Sequence, residues 1–148
     1  MAPQSFAEPW QIIRINNKEK FMKIAMIIVR TLMGLLFLFA SIAYFINLFP
    51  SPPPLTGNMK LYMEGMQASG YFLNLLKVTE LACGLAFVSG YYVPLATVVI
   101  APVIINIFFV HLFLAPEGLS VAIPLVLANC FVAYYYRASY APLLRAKP

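Results

Sequence analysis

Charged residues are scarce in this sequence. Only 10% of the 148 residues are Asp, Glu, Lys or Arg, whereas 62% are hydrophobic, and the mean hydropathy is +0.83. Soluble domains carry about 25% charged residues, so this composition excludes an ordinary water-soluble domain. The length and the apolar content together favour a single membrane-embedded domain.

Cysteine and histidine are also rare. The chain has two cysteines, Cys83 and Cys130, and one histidine, His111, with no CxxC pair. Tetrahedral zinc sites, iron–sulfur clusters and bis-histidine haem sites need more ligands than this, so no metal site is predicted. The sequence also contains no phosphate-binding loop and no nucleophile triad, and we therefore predict no catalytic residues and no autonomous enzyme.

The basic residues lie towards the two ends of the chain, although the net charge is +5. They do not form one basic surface, so nucleic acid is not a predicted partner. Their distribution is typical of segments held at the cytoplasmic, anionic face of a bilayer. These residues are Arg14, Lys18, Lys20, Lys23, Arg137, Arg145 and Lys147.

The stretch Tyr71–Gly90 is apolar enough to cross a bilayer but contains Lys77 and Glu80 near its middle. An ionisable group at that depth costs about 2.5–3.5 kcal/mol on insertion scales. Three residues separate the two side chains, so on a helix they share one face. That polar face must be covered by other helices.

Apolar runs predict four transmembrane helices and an all-α bundle. A cytoplasmic extension, 1–23, precedes the four-helix domain, 24–148. A cleaved signal peptide is the competing interpretation of the first run, but strong termination comes only at Pro50, where PSPPP begins. The predicted spans are about 24–49, 71–90, 93–114 and 119–136.

The connection between the first two spans predicts a short amphipathic helix within Leu55–Gly70. Its apolar residues Met59, Tyr62, Met63 and Met66 recur at helical spacing. We expect this helix to lie on the outer surface of the bundle. Four spans with basic ends place both termini in the cytoplasm, as in a multi-pass protein of the inner (cytoplasmic) membrane.

Polar residues from all four spans are predicted to meet in one buried layer. At 1.5 Å per residue, Arg30 lies about 9 Å from the cytoplasmic end, Glu80 about 15 Å and Lys77 about 20 Å. Two interpretations stay open: interhelical hydrogen bonding that only holds the bundle together, and a site for a polar or quinone-like head group. The layer is predicted to comprise Arg30, Lys77, Glu80, Asn106 and Asn129. His111, about 27 Å deep and close to the outer boundary, is a sixth candidate for the polar core or a ligand site.

These depths bear on two possible side-chain pairs. Arg30 is expected to reach Glu80 if Gly34 and Gly84 allow the first two helices to approach closely. Cys83 and Cys130 share a depth of about 10 Å. Because packed helix axes usually stand about 8–10 Å apart, we predict two free, buried and inert thiols rather than a disulfide.

Three segments resemble the DoxX family of small four-helix bacterial membrane proteins. They are APVIINIFFVHLFLAPEGL at Ala101–Leu119, MKIAMIIVRTLMGLLFLFASIAYF at Met22–Phe45, and ASGYFLNLLKVTELACGLAFVSGYYVPLA at Ala68–Ala96. The resemblance covers nearly everything from Met22 to Arg145. Family members carry residues that match Arg30, Glu80, Asn106 and His111, whereas Lys77 has no counterpart in the family pattern.

The resemblance implies a redox-associated membrane subunit that holds a quinone or a redox protein partner at the bilayer. The family takes its name from a subunit of a thiosulfate:quinone oxidoreductase. Two alternatives stay open: a binding or transport module for a small anionic or lipid-like ligand, and a structural anchor within a larger complex.

Overall fold

The computed structural model describes residues 9–48 and 55–142, with side chains from residue 17 onward in the first helix. All regular structure within these residues is helical, as predicted. The elements are α1 (Pro9–Phe45), α2 (Gly57–Ala68), α3 (Phe72–Ser89), α4 (Val93–Phe113), a 3-10 turn (Pro116–Gly118), α5 (Leu119–Tyr135) and α6 (Arg137–Tyr140).

Four of these helices form a bundle around an apolar core. α1 packs against α3 and α5, and α4 packs against the same two helices, so α1 and α4 lie on a diagonal. Each of the four is long and apolar enough to cross a membrane, which confirms four span-length helices. The core centres on Phe37, Phe87, Ile100, Ile104 and Val132.

The first helix is longer at its start than the apolar pattern predicts. It begins at Pro9 instead of near Ile24 and ends at Phe45 instead of Phe49. Lys and Glu are good helix formers, so the helix continues through the polar sequence, where the side chains of residues 17–24 are exposed. The predicted stop at Pro50–Pro54 lies outside the described residues.

Close approach of α1 and α3 is confirmed at Gly34 and Gly84. A Cβ on Gly34 would lie 2.9 Å from the carbonyl oxygen of Gly84, and a Cβ on Gly84 would lie 3.1 Å from that of Gly34. A side chain at either position would push the two backbones apart. Further along the antiparallel pair, the Tyr44 hydroxyl donates to Asn74 Oδ1 at 3.1 Å.

The predicted connecting helix is present as α2, which packs against α3. Met59, Tyr62, Met63 and Met66 are all half-buried, so they form the inward face. Lys60 is exposed and pairs with Glu64 at 3.6 Å on the outward side. α2 is therefore amphipathic, as its spacing predicts.

Chain direction gives the bundle two different ends. One end carries Lys18, Lys20, Lys23 and Arg137, and we call it the basic end. The other end carries α2 and the turn between α4 and α5. At the basic end, the half-buried Tyr140 hydroxyl donates to the Pro94 carbonyl at 3.2 Å. Burial raises the pKa of this phenol above its usual value of 10.0, so it stays a donor at neutral pH.

Candidate functional site

Glu80 forms an ion pair with Lys77 in the middle of α3. Glu80 is 2% exposed, its Oε2 lies 2.7 Å from Lys77 Nζ, and the Ser41 hydroxyl of α1 donates to the same oxygen at 3.5 Å. Opposite charges three residues apart on one helix neutralise each other locally. Lys77, which the family pattern does not explain, thus supplies the countercharge that a buried Glu80 requires.

The predicted Arg30–Glu80 pair is wrong. The Arg30 guanidinium packs instead on Gly90, where an added Cβ would overlap it. Gly90 ends α3 with a φ of 83°. The position therefore favours glycine for two reasons, the left-handed backbone and the lack of room for a Cβ beside Arg30. Ten residues of helix separate Gly90 from Glu80, about 15 Å. The Gly34–Gly84 contact fixes a register that sets Arg30 beside the end of α3, where its charge faces the negative pole of the helix dipole.

Asn106 and His111 make structural contacts near the end of the bundle that lies opposite the basic end. Asn106 and the Tyr62 hydroxyl of α2 exchange hydrogen bonds, with Asn106 Nδ2 donating at 2.9 Å. His111 Nδ1 lies 3.0 Å from the Ala115 carbonyl oxygen. Its ring also fills the space beside Gly118, where a Cβ would overlap it. Asn106 therefore ties α2 to α4, and His111 supports the turn into α5.

Asn129 is buried on α5 and donates weakly from Nδ2 to the Thr97 carbonyl at 3.5 Å. α5 runs beside α1, and the Tyr136 hydroxyl lies 3.6 Å from Met26 Sδ. This register places Asn129 near the level of Arg30 and towards the basic end, rather than at the level of Glu80. The predicted single polar layer is therefore wrong, and the five residues assigned to it are spread over separate contacts.

Arg30 and Asn129 share an unusual property. Arg30 Nε and Asn129 Oδ1 are buried, and neither has a hydrogen-bond partner among the described residues. Nearly all buried polar atoms in folded proteins are hydrogen-bonded, so each exception calls for an explanation. One atom is a donor and the other an acceptor, on helices that pack against each other.

An apolar groove of about 420 Å³ runs between α1 and α5. Val29, which precedes Arg30, and Ala128, which precedes Asn129, both line it. Arg30 and Asn129 themselves are not among its lining residues, so the groove passes one residue away from each of them without reaching the two buried, unpaired atoms. Its other lining residues are Leu32, Met33, Leu36, Ser120, Val121, Pro124 and Leu125.

Sequence reasoning missed the partners Ser41, Tyr62 and Thr97. One signal could have found the first of them. Gly34 and Ser41 are seven residues apart on α1, as are Lys77 and Gly84 on α3. Matching the two glycines in an antiparallel pair therefore sets Ser41 opposite Lys77 and close to Glu80.

Both cysteines are free, as predicted. Cys83 is buried in the core, but Cys130 is exposed, so the prediction that both are buried is wrong. Cys130 follows the inward-facing Asn129 by one residue, and a helix turns about 100° per residue. Equal depth therefore says nothing about which way a side chain faces.

Potential metal ligands are dispersed over the described chain, where no three His, Cys, Asp or Glu side chains cluster. In comparisons with known proteins, no family model, no curated protein and no solved structure matches this chain. The DoxX resemblance consequently stays a prediction that depends on the quoted segments alone.

Proposed function

We propose that the protein is a multi-pass integral membrane protein with four transmembrane helices. The supporting observation is where apolar and charged side chains lie. Leu32 and Leu127 are 61% and 64% exposed on the outer faces of α1 and α5, whereas Glu80 is 2% exposed inside. Such outer faces match lipid tails, and burial of Glu80 matches the cost of charge in hydrocarbon.

We further propose that the bundle is a redox-associated, DoxX-like subunit that binds a quinone. The single observation that carries this function is the apolar α1–α5 groove, whose lining residues Val29 and Ala128 directly precede the two residues with unsatisfied polar atoms. An isoprenoid tail matches the α1–α5 groove, which opens along the lipid-facing side. Both unpaired atoms are buried, so the side chains of Arg30 and Asn129 must turn towards the groove to reach a head group there. A quinone carbonyl would then accept a hydrogen bond from Arg30 Nε, and the hydroxyl of the reduced form would donate to Asn129 Oδ1.

The residues named here would bind and orient the head group. Arg30 offers a planar guanidinium with several N–H donors, and Asn129 offers an amide oxygen that accepts. A bound quinone would itself supply the two-electron, two-proton chemistry. The role of the chain is then to hold this group within the bilayer for a partner enzyme.

A structural anchor is the second candidate, and a specific observation favours it for the other four residues. Glu80 pairs with Lys77, Asn106 pairs with Tyr62, and His111 contacts the Ala115 carbonyl. Each of these side chains already has a partner within the chain. The two candidates therefore differ at Arg30, Asn129 and the groove.

Quinone retention tests the proposal. The protein is purified in mild detergent from bacterial membranes, and its lipid extract is analysed by mass spectrometry for quinone per protein. We expect retention by the unaltered chain and a loss of about tenfold in Arg30→Gln, as one charge-assisted hydrogen bond is worth about 1.5–3 kcal/mol. Val121→Trp fills the groove while leaving Arg30 and Asn129 in place, and it should cause a similar loss.

Lys60→Gln is the matched control, because it removes an exposed cation at the other end of the bundle and should retain quinone. Circular dichroism establishes that each variant is helical. Equal retention by Arg30→Gln, Val121→Trp and Lys60→Gln would refute the quinone site. A quinone-free bundle that co-purifies with a protein partner would instead support the anchor.

A further inference from the structure

A second cavity lies at the basic end, between residues 18–23 of α1 and the end of α5. Its volume is about 670 Å³, and it is lined by Lys18, Lys20, Lys23, Tyr134, Tyr135 and Arg137 among others. None of these residues belongs to the quinone site proposed above.

The cavity lies just beyond the apolar part of the bundle. Tyr136 contacts Met26, and α1 continues for eight residues from Met26 back to Lys18, about 12 Å. The headgroup layer on each side of the hydrocarbon core is about 5–8 Å thick. In a membrane-spanning bundle, this segment of α1 would therefore pass through the headgroup layer, with the cavity at its side.

Charge in the cavity is strongly positive. Four cationic side chains line it, and Glu19 is its one acidic lining residue. One of the cations is held in place, because Arg137 Nη1 donates to the Tyr134 carbonyl at 3.2 Å. Its guanidinium carbon also lies 4.4 Å from the centre of the Tyr134 ring. Stacking of this kind leaves other guanidinium N–H groups free to bind an anion.

We propose that this cavity binds the phosphate-bearing headgroup of an anionic phospholipid, an inference that rests on the membrane insertion proposed above. Lysine and arginine at the membrane surface attract anionic lipid, and tyrosine is favoured at headgroup level. A lipid fits better than a free phosphate ion, since the cavity adjoins the exposed apolar surface of the bundle, where acyl chains would pack. Basic pockets of this kind beside transmembrane helices recognise acidic lipid headgroups.

Lipid titration followed by native mass spectrometry tests this proposal on the full chain in detergent. The probes are phosphatidylglycerol and phosphatidylcholine. We expect the unaltered protein to prefer phosphatidylglycerol, and the variant K18Q/K20Q/K23Q to bind it on the order of 100-fold more weakly, about fivefold for each lysine. Arg137→Gln should weaken binding by itself. Lys60→Gln, at the opposite end, should leave the preference unchanged.

Two further measurements separate the possible outcomes. Inorganic phosphate at the same concentration should not displace phosphatidylglycerol; displacement would mean that the site takes a soluble anion and would overturn the lipid assignment. An equal loss of phosphatidylglycerol binding in K18Q/K20Q/K23Q and in Lys60→Gln would refute a lipid site in this cavity. Flotation with phosphatidylcholine vesicles tests insertion separately, because a chain that inserts but lacks lipid preference refutes this inference alone.

Discussion

Lys77 and Glu80 illustrate how a single residue's environment decides whether a buried charge can be tolerated. The Lys77 side chain is 20% exposed and that of Glu80 is 3% exposed. A lysine at that position can extend its long stem towards the surface, while the shorter glutamate cannot. The two partners are therefore not equivalent, although they form one ion pair.

Removing the lysine should cost more than removing the glutamate. Lys77→Met leaves the buried Glu80 carboxylate without a countercharge, and we expect a loss of about 3–5 kcal/mol in the free energy of unfolding. Glu80→Gln leaves Lys77 able to extend its long stem towards the nearer end of α3 at Phe72, five residues or about 7.5 Å away, and should cost less. The double variant Lys77→Leu with Glu80→Leu should be milder than the two single losses summed. Denaturant unfolding in detergent, followed by circular dichroism, measures all of these values.

The exposed Lys60–Glu64 pair on α2 is the matched control for this comparison. Its side chains are 57% and 56% exposed. Exposed pairs contribute about 0–1 kcal/mol, so Lys60→Met should change stability little. If Lys77→Met were no more harmful than Lys60→Met, Glu80 would not depend on its neighbour.

At the scale of whole helices, the apolar runs predicted where α3, α4 and α5 lie because each run is bounded by a residue that ends a helix. Gly90, for example, has a positive φ that ends α3. α1 has no such signal at its start, since polar residues such as Lys18 and Glu19 continue the helix as readily as apolar ones. Hydropathy marks only the apolar part of a helix, and α1 extends into the polar sequence that precedes that part.

Contact between α1 and α3 depends on two residues without side chains. In Gly34→Ala, the new Cβ would lie 2.8 Å from Val88 Cγ2 and 2.9 Å from the Gly84 carbonyl oxygen. Because the second contact is with backbone, the helices must separate, and we expect a loss of about 1–3 kcal/mol in the free energy of unfolding. Thermal unfolding of the purified protein in detergent provides the measurement.

Gly65→Ala on α2 is the control, as no atom lies within 4 Å of an added Cβ there. Alanine in a helix is more favourable than glycine by about 0.5–1 kcal/mol, so this variant should be unchanged or slightly stabilised. A Gly34→Ala protein as stable as Gly65→Ala would show that the close approach is dispensable.

For the molecule as a whole, composition and periodicity predicted the helical bundle, but they did not predict which of its polar residues contact each other. Depth counting assumes that every span starts at the same level. The register set by Gly34 and Gly84 instead moves Arg30 to the end of α3, away from Glu80. The direction in which a side chain points from its helix is a second unknown. An outward-facing and a core-facing residue can share a depth, as Cys130 and Asn129 nearly do. Residue types were therefore predictable, and their partners were not.

Orientation of the whole bundle is the property that links the proposed lipid site to the cell. The basic end carries Lys18, Lys20, Lys23 and Arg137, while the other end exposes Lys60 and Glu64 on α2 and Glu117 in the turn between α4 and α5. Lysine and arginine near span ends are retained in the cytoplasm, so we expect the basic end inside and α2 outside.

Cysteine labelling in intact cells checks this orientation. With Cys83 and Cys130 replaced by alanine, Lys60→Cys should react with a membrane-impermeant maleimide added outside, because this side chain is 57% exposed on α2. Lys20 is exposed at the basic end, and Lys20→Cys is the matched variant there. We expect it to react only after the cells are permeabilised, because the basic end is expected to face the cytoplasm. The reverse pattern would invert the bundle and move the basic cavity to the outer leaflet. Labelling of both positions in intact cells would contradict a four-span topology with well-separated ends.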